Sequence, residues 1–334
     1  MKKIYIIGAG SWGTALALTA LRADKQNVTL ITRQAKEASI LSKTRINQTY
    51  LPNIPLPSAL TVTHDLETLR DADIVLQVTP AQTIREICLD VQKHLPPTAP
   101  WVICSKGILL GGDKDEPQLL SKVSQDLLPN PIAVLSGPSF ADEVGLNLPT
   151  AVTVACENEK IAKLIAGAFR HPHFRCYISD DPIGVQVAGA VKNILAIACG
   201  IVRGKGFGNN AAAALITRGL AEMRRLGLAL GGKSDTFLGL SAVGDVTLTC
   251  SSEQSRNMRL GLALGQKGAN VEKILKECSF IAEGVPTTAA VYKLSRALSI
   301  PMPLCQALYN LLYDHIPLDK VVDHILSHQS ELEF

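Results

Sequence analysis

Hydrophobic positions in the first half of the chain fall in short runs that are apolar almost throughout: Ile4–Ile7, Val28–Thr32, Ile74–Val78, Trp101–Cys104, Ile132–Leu135 and Ala151–Ala155. Amphipathic or Ala/Leu-rich stretches such as Thr14–Arg22 and Thr83–Lys93 separate most of them. Strands without a polar face, alternating with helices, predict a parallel sheet covered on both sides. The stretch from Arg45 to Ala59 carries Pro52, Pro55 and Pro57 and predicts an extended loop. After Asp180-Asp181-Pro182 the strand pattern stops, and the periodicity predicts long helices over Ile183–Val202, Ala211–Gly227, Arg256–Leu264, Pro286–Leu298 and Pro303–Tyr313. The predicted fold is α/β: an N-terminal Rossmann doubly wound parallel sheet over residues 1–180, then an all-helical domain over 181–334, with a cleft between them.

Composition narrows the function classes. A length of 334 residues suits about two domains. An apolar fraction of 47% with 19% charged residues excludes a disordered chain. The net charge of +3 is spread out, with no basic run, which argues against nucleic acid and suits a small anionic ligand. The eight cysteines form no C-x-x-C pair, so buried thiols in a reducing cytoplasm are expected. Met1-Lys2-Lys3 begins like a signal peptide, but its apolar run breaks at Gly8. Val185–Val202 is the best membrane-span candidate, yet Gln186, Lys192 and Asn193 make insertion costly, so a buried core helix is expected. His171-Pro172-His173 lacks a carboxylate or cysteine at metal spacing, and no metal is expected.

The spacing Gly8-x-Gly10-x-x-Gly13 follows one predicted strand, opens a helix and precedes a second strand, which is the setting of a dinucleotide-binding turn. Gly8 permits the tight turn, Gly10 the approach of a pyrophosphate, and Gly13 close packing of helix on strand. The end of the second strand, Ile31-Thr32-Arg33, has no carboxylate for a ribose 2′-hydroxyl. Arg33 there suits a 2′-phosphate, so NADPH is the expected cofactor, with NADH as a second choice. A solvated Arg33 at a helix start is the plainer alternative.

Lys192 lies inside an apolar helix, where burial would lower its pKa and make it a usable proton donor or acceptor. Snorkelling of its ammonium to water is the competing reading. Asn193 beside it either orients the site or caps a neighbouring backbone group. Lys106, in Cys104-Ser105-Lys106-Gly107, follows a strand and would face the crevice at the sheet's carboxyl end. Ser136 to Ala141, containing Gly137 and Ser139, puts small residues at the same rim. Ser255-Arg256-Asn257 precedes a helix and combines hydroxyl, guanidinium and backbone donors suited to a phosphate. Asp245, in a glycine-flanked turn, would bind a substrate hydroxyl, pair with Lys192, or cap a helix. Glu283 reads by itself as a cap residue.

Taken together these segments resemble the bacterial NAD(P)-dependent glycerol-3-phosphate dehydrogenases. The matching pieces are Gly8 through Ala17, Cys104 through Gly107, Ser136 through Ala141, Ala190-Val191-Lys192-Asn193, Gly244-Asp245, Ser255-Arg256-Asn257 and Ala282-Glu283-Gly284, in family order. The resemblance implies reduction of dihydroxyacetone phosphate to sn-glycerol 3-phosphate, feeding glycerophospholipid synthesis. It implies Lys192 as proton acceptor and Lys106, Gly137, Ser139, Lys192, Asp245, Ser255, Arg256 and Asn257 as substrate contacts. It implies Ser11, Trp12, Arg33, Lys106, Ala141, Arg256, Ile281 and Glu283 as cofactor contacts. A homodimer is usual for families of this build. Other Rossmann-plus-helical dehydrogenases, and a non-catalytic NADPH sensor, are the competing readings.

Overall fold

A computed structural model describes residues 1–23, 26–111, 116–266, 270–278 and 280–327. The chain forms two compact units, one of Met1–Ser105 with Leu120–Pro182, the other of Lys106–Leu119 with Ile183–Phe334.

The first unit is built on an eight-stranded sheet. Its strands are β1 (Lys2–Ile7), β2 (Gln26–Ile31), β3 (Thr61–Thr63), β4 (Ile74–Gln77), β5 (Trp101–Ile103), β6 (Ile132–Ser136), β7 (Thr150–Ala155) and β8 (Phe174–Ser179). They lie in the order β3-β2-β1-β4-β5-β6-β7-β8. The first six strands run parallel in the 3-2-1-4-5-6 order of a doubly wound Rossmann sheet. Helices α1 (Ser11–Arg22), α2 (Ala35–Thr44), α3 (Ile84–Val91), α4 (Leu120–Leu127), α5 (Ala141–Gly145) and α6 (Glu159–Ala168) complete it. Ile4, Ile6, Leu30, Ile74, Leu76 and Val102 are wholly or almost wholly buried, as expected of strands covered on both faces.

Four features depart from the sequence reading, the first being the short edge strand β3, whose Thr61–Thr63 forms no apolar run. β7 is antiparallel to β6 rather than parallel. The chain between them is short and holds only the five-residue α5, too little for a parallel crossover; Gly137, which leaves β6, has a φ of +148°. β8 escapes the apolar pattern because its pairing with β7 leaves Arg175, Tyr177 and Ile178 exposed. Within the proline-rich segment, Ile46–Asn47 pairs antiparallel with Leu51–Pro55 as a small ribbon.

The second unit is helical: α7 (Pro182–Gly204), α8 (Gly208–Ala229), α9 (Asp245–Ser251), α10 (Arg256–Gly265), α11 (Val271–Glu277), α12 (Gly284–Ala297), α13 (Pro303–Leu312) and α14 (Leu318–Ser327). α7 has the length and hydropathy of a membrane span, but 89% of its apolar window is buried among the other helices. It is the central core helix, with Val187, Val191, Ile194 and Ile197 inside; burying each such side chain contributes about 1.5–3 kcal/mol. A single boundary at 180 leaves out one segment of this unit. Residues Ile108–Leu109 pair antiparallel with Gln118–Leu119, and Ile108 is fully buried in the helical core. That apolar contact ties this ribbon to the helical unit.

Helices α7 and α10 meet backbone to backbone. A Cβ on Gly200 would lie 2.3 Å from the Met258 carbonyl oxygen, and one on Gly261 would lie 2.0 Å from the Ile197 carbonyl oxygen. Glycines on both helices therefore permit a separation that no other residue allows.

Candidate active site

The Gly8–Gly13 turn lies between the carboxyl end of β1 and α1. Gly8 has φ +115°, and a Cβ there would lie 2.9 Å from the carbonyl carbon of Val78. At Gly13 a Cβ would lie 1.9 Å from the Gly8 carbonyl oxygen, so helix and turn touch as the spacing predicts. Gly10 is different: beyond its chain neighbours, no atom lies within 4 Å of where its Cβ would be. Gly10 is also the N-cap of α1 and supplies no side-chain cap. An open approach at an uncapped helix N-terminus fits a dinucleotide pyrophosphate. Ser11 donates its hydroxyl to the Tyr50 carbonyl at 2.7 Å, and Trp12 follows in the first turn. Arg33 is exposed just beyond β2.

On the same unit, the Ser139 hydroxyl donates to the Gly137 carbonyl at 3.0 Å, and Ala141 opens α5.

The helical unit brings together residues far apart in sequence. Lys192 on α7 donates to Oδ1 of Asp245 at 2.7 Å and to the Thr249 hydroxyl at 2.9 Å. Lys106 donates to the other oxygen, Oδ2, at 2.6 Å. Asp245 is 1% exposed and Lys192 8% exposed. One buried carboxylate is therefore shared by two ammonium groups. Burial drives the Lys192 ammonium down to about 8; Asp245 opposes that shift and the Lys106 charge reinforces it. Burial alone would raise the Asp245 carboxyl, but the two lysines outweigh it and hold it below its ordinary range. With both lysines protonated the cluster carries one excess positive charge, suited to an oxyanion.

Asp245 is not in a free turn. A π-helical turn, Leu240–Gly244, runs directly into α9, whose first residue is Asp245. That places Asp245 and Thr249 one helical turn apart on one face, and the Thr249 hydroxyl also donates to Oδ1 at 3.0 Å. Thr249 is a residue of this cluster that the sequence reading missed. Its signal, an Asp and a Thr four residues apart, has meaning only once the segment is known to be helical.

A second chain of hydrogen bonds orders the surroundings. Asn193 donates to the Lys106 carbonyl at 3.1 Å and accepts from Nδ2 of Asn257 at 2.9 Å. Asn257 in turn accepts from the Gly284 N–H at 3.1 Å. Asn193 thus orients its neighbours through its side chain. Ser255 is the N-cap of α10, accepting from the Met258 N–H at 3.2 Å, and Arg256 is exposed at the helix start. Ile281 is exposed, and Glu283 is the N-cap residue of α12.

The comparisons with known proteins agree along the chain. Residues 3–162 match the sequence model of the NAD-dependent glycerol-3-phosphate dehydrogenase N-terminus, and residues 181–323 match that of its C-terminus. The chain belongs to the NAD-dependent glycerol-3-phosphate dehydrogenase family. It is 46% identical to the glycerol-3-phosphate dehydrogenase of Caulobacter vibrioides, over 98% of this chain and 97% of that one. The crystal structure of the glycerol-3-phosphate dehydrogenase from Coxiella burnetii aligns with a TM-score of 0.91 at 39% identity, covering 98% of this chain and 99% of that one. That of the Saccharomyces cerevisiae enzyme aligns at 0.84 and 27%, covering 97% and 99%. A ketopantoate reductase from Ralstonia eutropha, at 0.60 and 15% over 96% of this chain and 99% of that one, shares the fold alone. This glycerol-3-phosphate dehydrogenase family member is an oxidoreductase that binds NAD(P) and reversibly interconverts dihydroxyacetone phosphate and glycerol 3-phosphate.

Proposed function

We propose that Lys192 exchanges the proton at the substrate oxygen and that Asp245 and Lys106 set its readiness to do so. The observation that carries this reading is the pair of ammonium groups on opposite oxygens of the buried Asp245 carboxylate. Bound NAD(P)H supplies the hydride. As negative charge grows on the carbonyl oxygen, the excess positive charge of the cluster stabilises it, and Lys192 delivers its proton. The Thr249 hydroxyl fixes the Lys192 ammonium, so little reorganisation accompanies the transfer.

For the substrate phosphate, the proposed site is the start of α10, where Ser255, Arg256 and Asn257 combine hydroxyl, guanidinium, amide and helix N-terminus. Gly137 and Ser139 are further proposed substrate contacts. For the cofactor, the proposed contacts are Gly8, Gly10, Ser11, Trp12 and Gly13 at the phosphate turn, with Lys106, Ala141, Arg256, Ile281 and Glu283. Arg33 beyond β2, where a ribose-binding carboxylate would otherwise stand, favours NADPH over NADH. The product is sn-glycerol 3-phosphate, a backbone for glycerophospholipids. We place the protein in the cytoplasm as a homodimer; sedimentation equilibrium tests the latter.

The deciding variant is Lys192→Ala. Its kcat for dihydroxyacetone phosphate reduction is expected to fall at least roughly 100-fold, with NADPH affinity by fluorescence nearly unchanged. Near-normal turnover would refute the role.

A further inference from the structure

A polar side chain outside the proposed contact set bears directly on the phosphate turn. Asn47 lies in the small ribbon Ile46–Asn47/Leu51–Pro55, and only 3% of it is exposed. Its Nδ2 donates to the Ala9 carbonyl at 2.8 Å and to the Thr14 hydroxyl at 2.8 Å. Its Oδ1 accepts from the Tyr50 N–H at 3.3 Å. Reversing the amide would set an acceptor against the Ala9 carbonyl, so the network fixes its orientation.

The Ala9–Gly10 peptide turns this into a statement about the cofactor site. A trans peptide points its C=O and N–H in opposite directions. Holding the Ala9 carbonyl on the buried Asn47 amide aims the Gly10 N–H the other way. We propose that Asn47 is a positioning residue of the dinucleotide turn: its hold on the Ala9 carbonyl directs the Gly10 N–H toward the pyrophosphate.

The ribbon is itself anchored, so Asn47 works from a firm base. Ser11 on α1 ties to the Tyr50 carbonyl. Leu51 and Ile54 are buried over α5, where a Cβ on Gly145 would lie 2.5 Å from Ile54 Cδ1 and 3.1 Å from Leu51 Cδ2. Arg22 at the end of α1 donates to the Val144 carbonyl of α5 at 2.9 Å. Ribbon, α5 and α1 therefore brace one another around the turn.

This inference rests on the proposed cofactor site, and two probes separate the two. 2′-Phospho-ADP-ribose carries the pyrophosphate; 2′-AMP does not. Calorimetric titration of wild type should show the first binding the more tightly; if it does not, the cofactor-site reading fails. In Asn47→Ala the affinity for 2′-phospho-ADP-ribose should fall about tenfold, the effect of losing one well-placed hydrogen bond, while that for 2′-AMP stays within about twofold. Equal loss for both probes, or no loss, would overturn the role of Asn47 and leave the site reading intact. Should Asn47→Ala fail to fold, Thr14→Val decides. It removes one of the two acceptors that hold the amide and should weaken the pyrophosphate probe selectively, by about threefold; an unchanged affinity there overturns the proposal.

Discussion

The Lys192 ammonium donates to Oδ1 of Asp245 at 2.7 Å across 53 residues of sequence. The second carboxylate oxygen is taken by Lys106, so neither lysine has the carboxylate to itself. Removing the carboxylate changes the protonation of what remains.

The direction of that change is testable. With Lys192 as the proposed proton donor, the rate of reduction should fall as pH rises through about 8, and that of oxidation should rise through the same range. Asp245 supports the charged form of Lys192, so Asp245→Asn should move both limbs to lower pH and lower kcat. Profiles of kcat/KM for both directions check this. Limbs that stay in place in the variant would contradict the coupling.

Arg33 is exposed, so its loss should leave folding intact. Arg33→Ala is expected to weaken NADPH about tenfold and NADH hardly at all, because only NADPH carries the phosphate that a guanidinium matches. Titrating both cofactors by fluorescence decides it; an equal loss would remove the 2′-phosphate role.

Two glycine replacements should differ in their effect on stability. Gly261→Ala forces a methyl against the Ile197 carbonyl oxygen, and overpacking of this kind costs about 3 kcal/mol in urea unfolding. It also shifts α10, so the KM for dihydroxyacetone phosphate should rise. Gly10→Ala meets nothing within 4 Å and has an ordinary φ of −69°, so unfolding should be unchanged. Its methyl would occupy the approach of the pyrophosphate, and cofactor affinity should fall more than about tenfold.

Glu222 provides a pH test away from the chemistry. It is buried on α8 and accepts from the N–H groups of Leu304 and Cys305, at 2.7 and 3.3 Å, at the start of α13. Burial raises its carboxyl to about 7, with those N–H groups and then Arg225 and Arg218 opposing. A folded pKa above the unfolded one gives stability that is present below about 4.5 and lost as pH rises through about 7. Wild type should therefore lose about 3 kcal/mol relative to Glu222→Gln across that interval. Parallel stability curves for the two proteins would exclude the effect.

Much of this site is legible in the chain because its parts are local. Gly8, Gly10 and Gly13 declare a tight strand-to-helix turn through three positions in six residues. Ser255 caps α10 as a serine before a helix should. Lys192 stands out because an ammonium inside an apolar helix needs a partner. The partner itself was not legible: Asp245 reads equally as a cap, a hydroxyl ligand or a counter-ion. Asn47 carries no local signal at all in a proline-rich segment.

Sequence by itself determined the doubly wound sheet, the buried helix around Lys192 and the tight glycine turn after β1, because periodicity and glycine spacing act over a few residues. Tertiary structure alone decided that β7 reverses and that residues 106–119 join the helical unit. It also decided that Lys106 and Lys192 share Asp245, and that Asn47 holds the turn. Those outcomes depend on which buried groups meet at hydrogen-bond distance. The burial that lowers the Lys192 pKa, like the contact that aims the Gly10 N–H, exists only when distant segments are packed together.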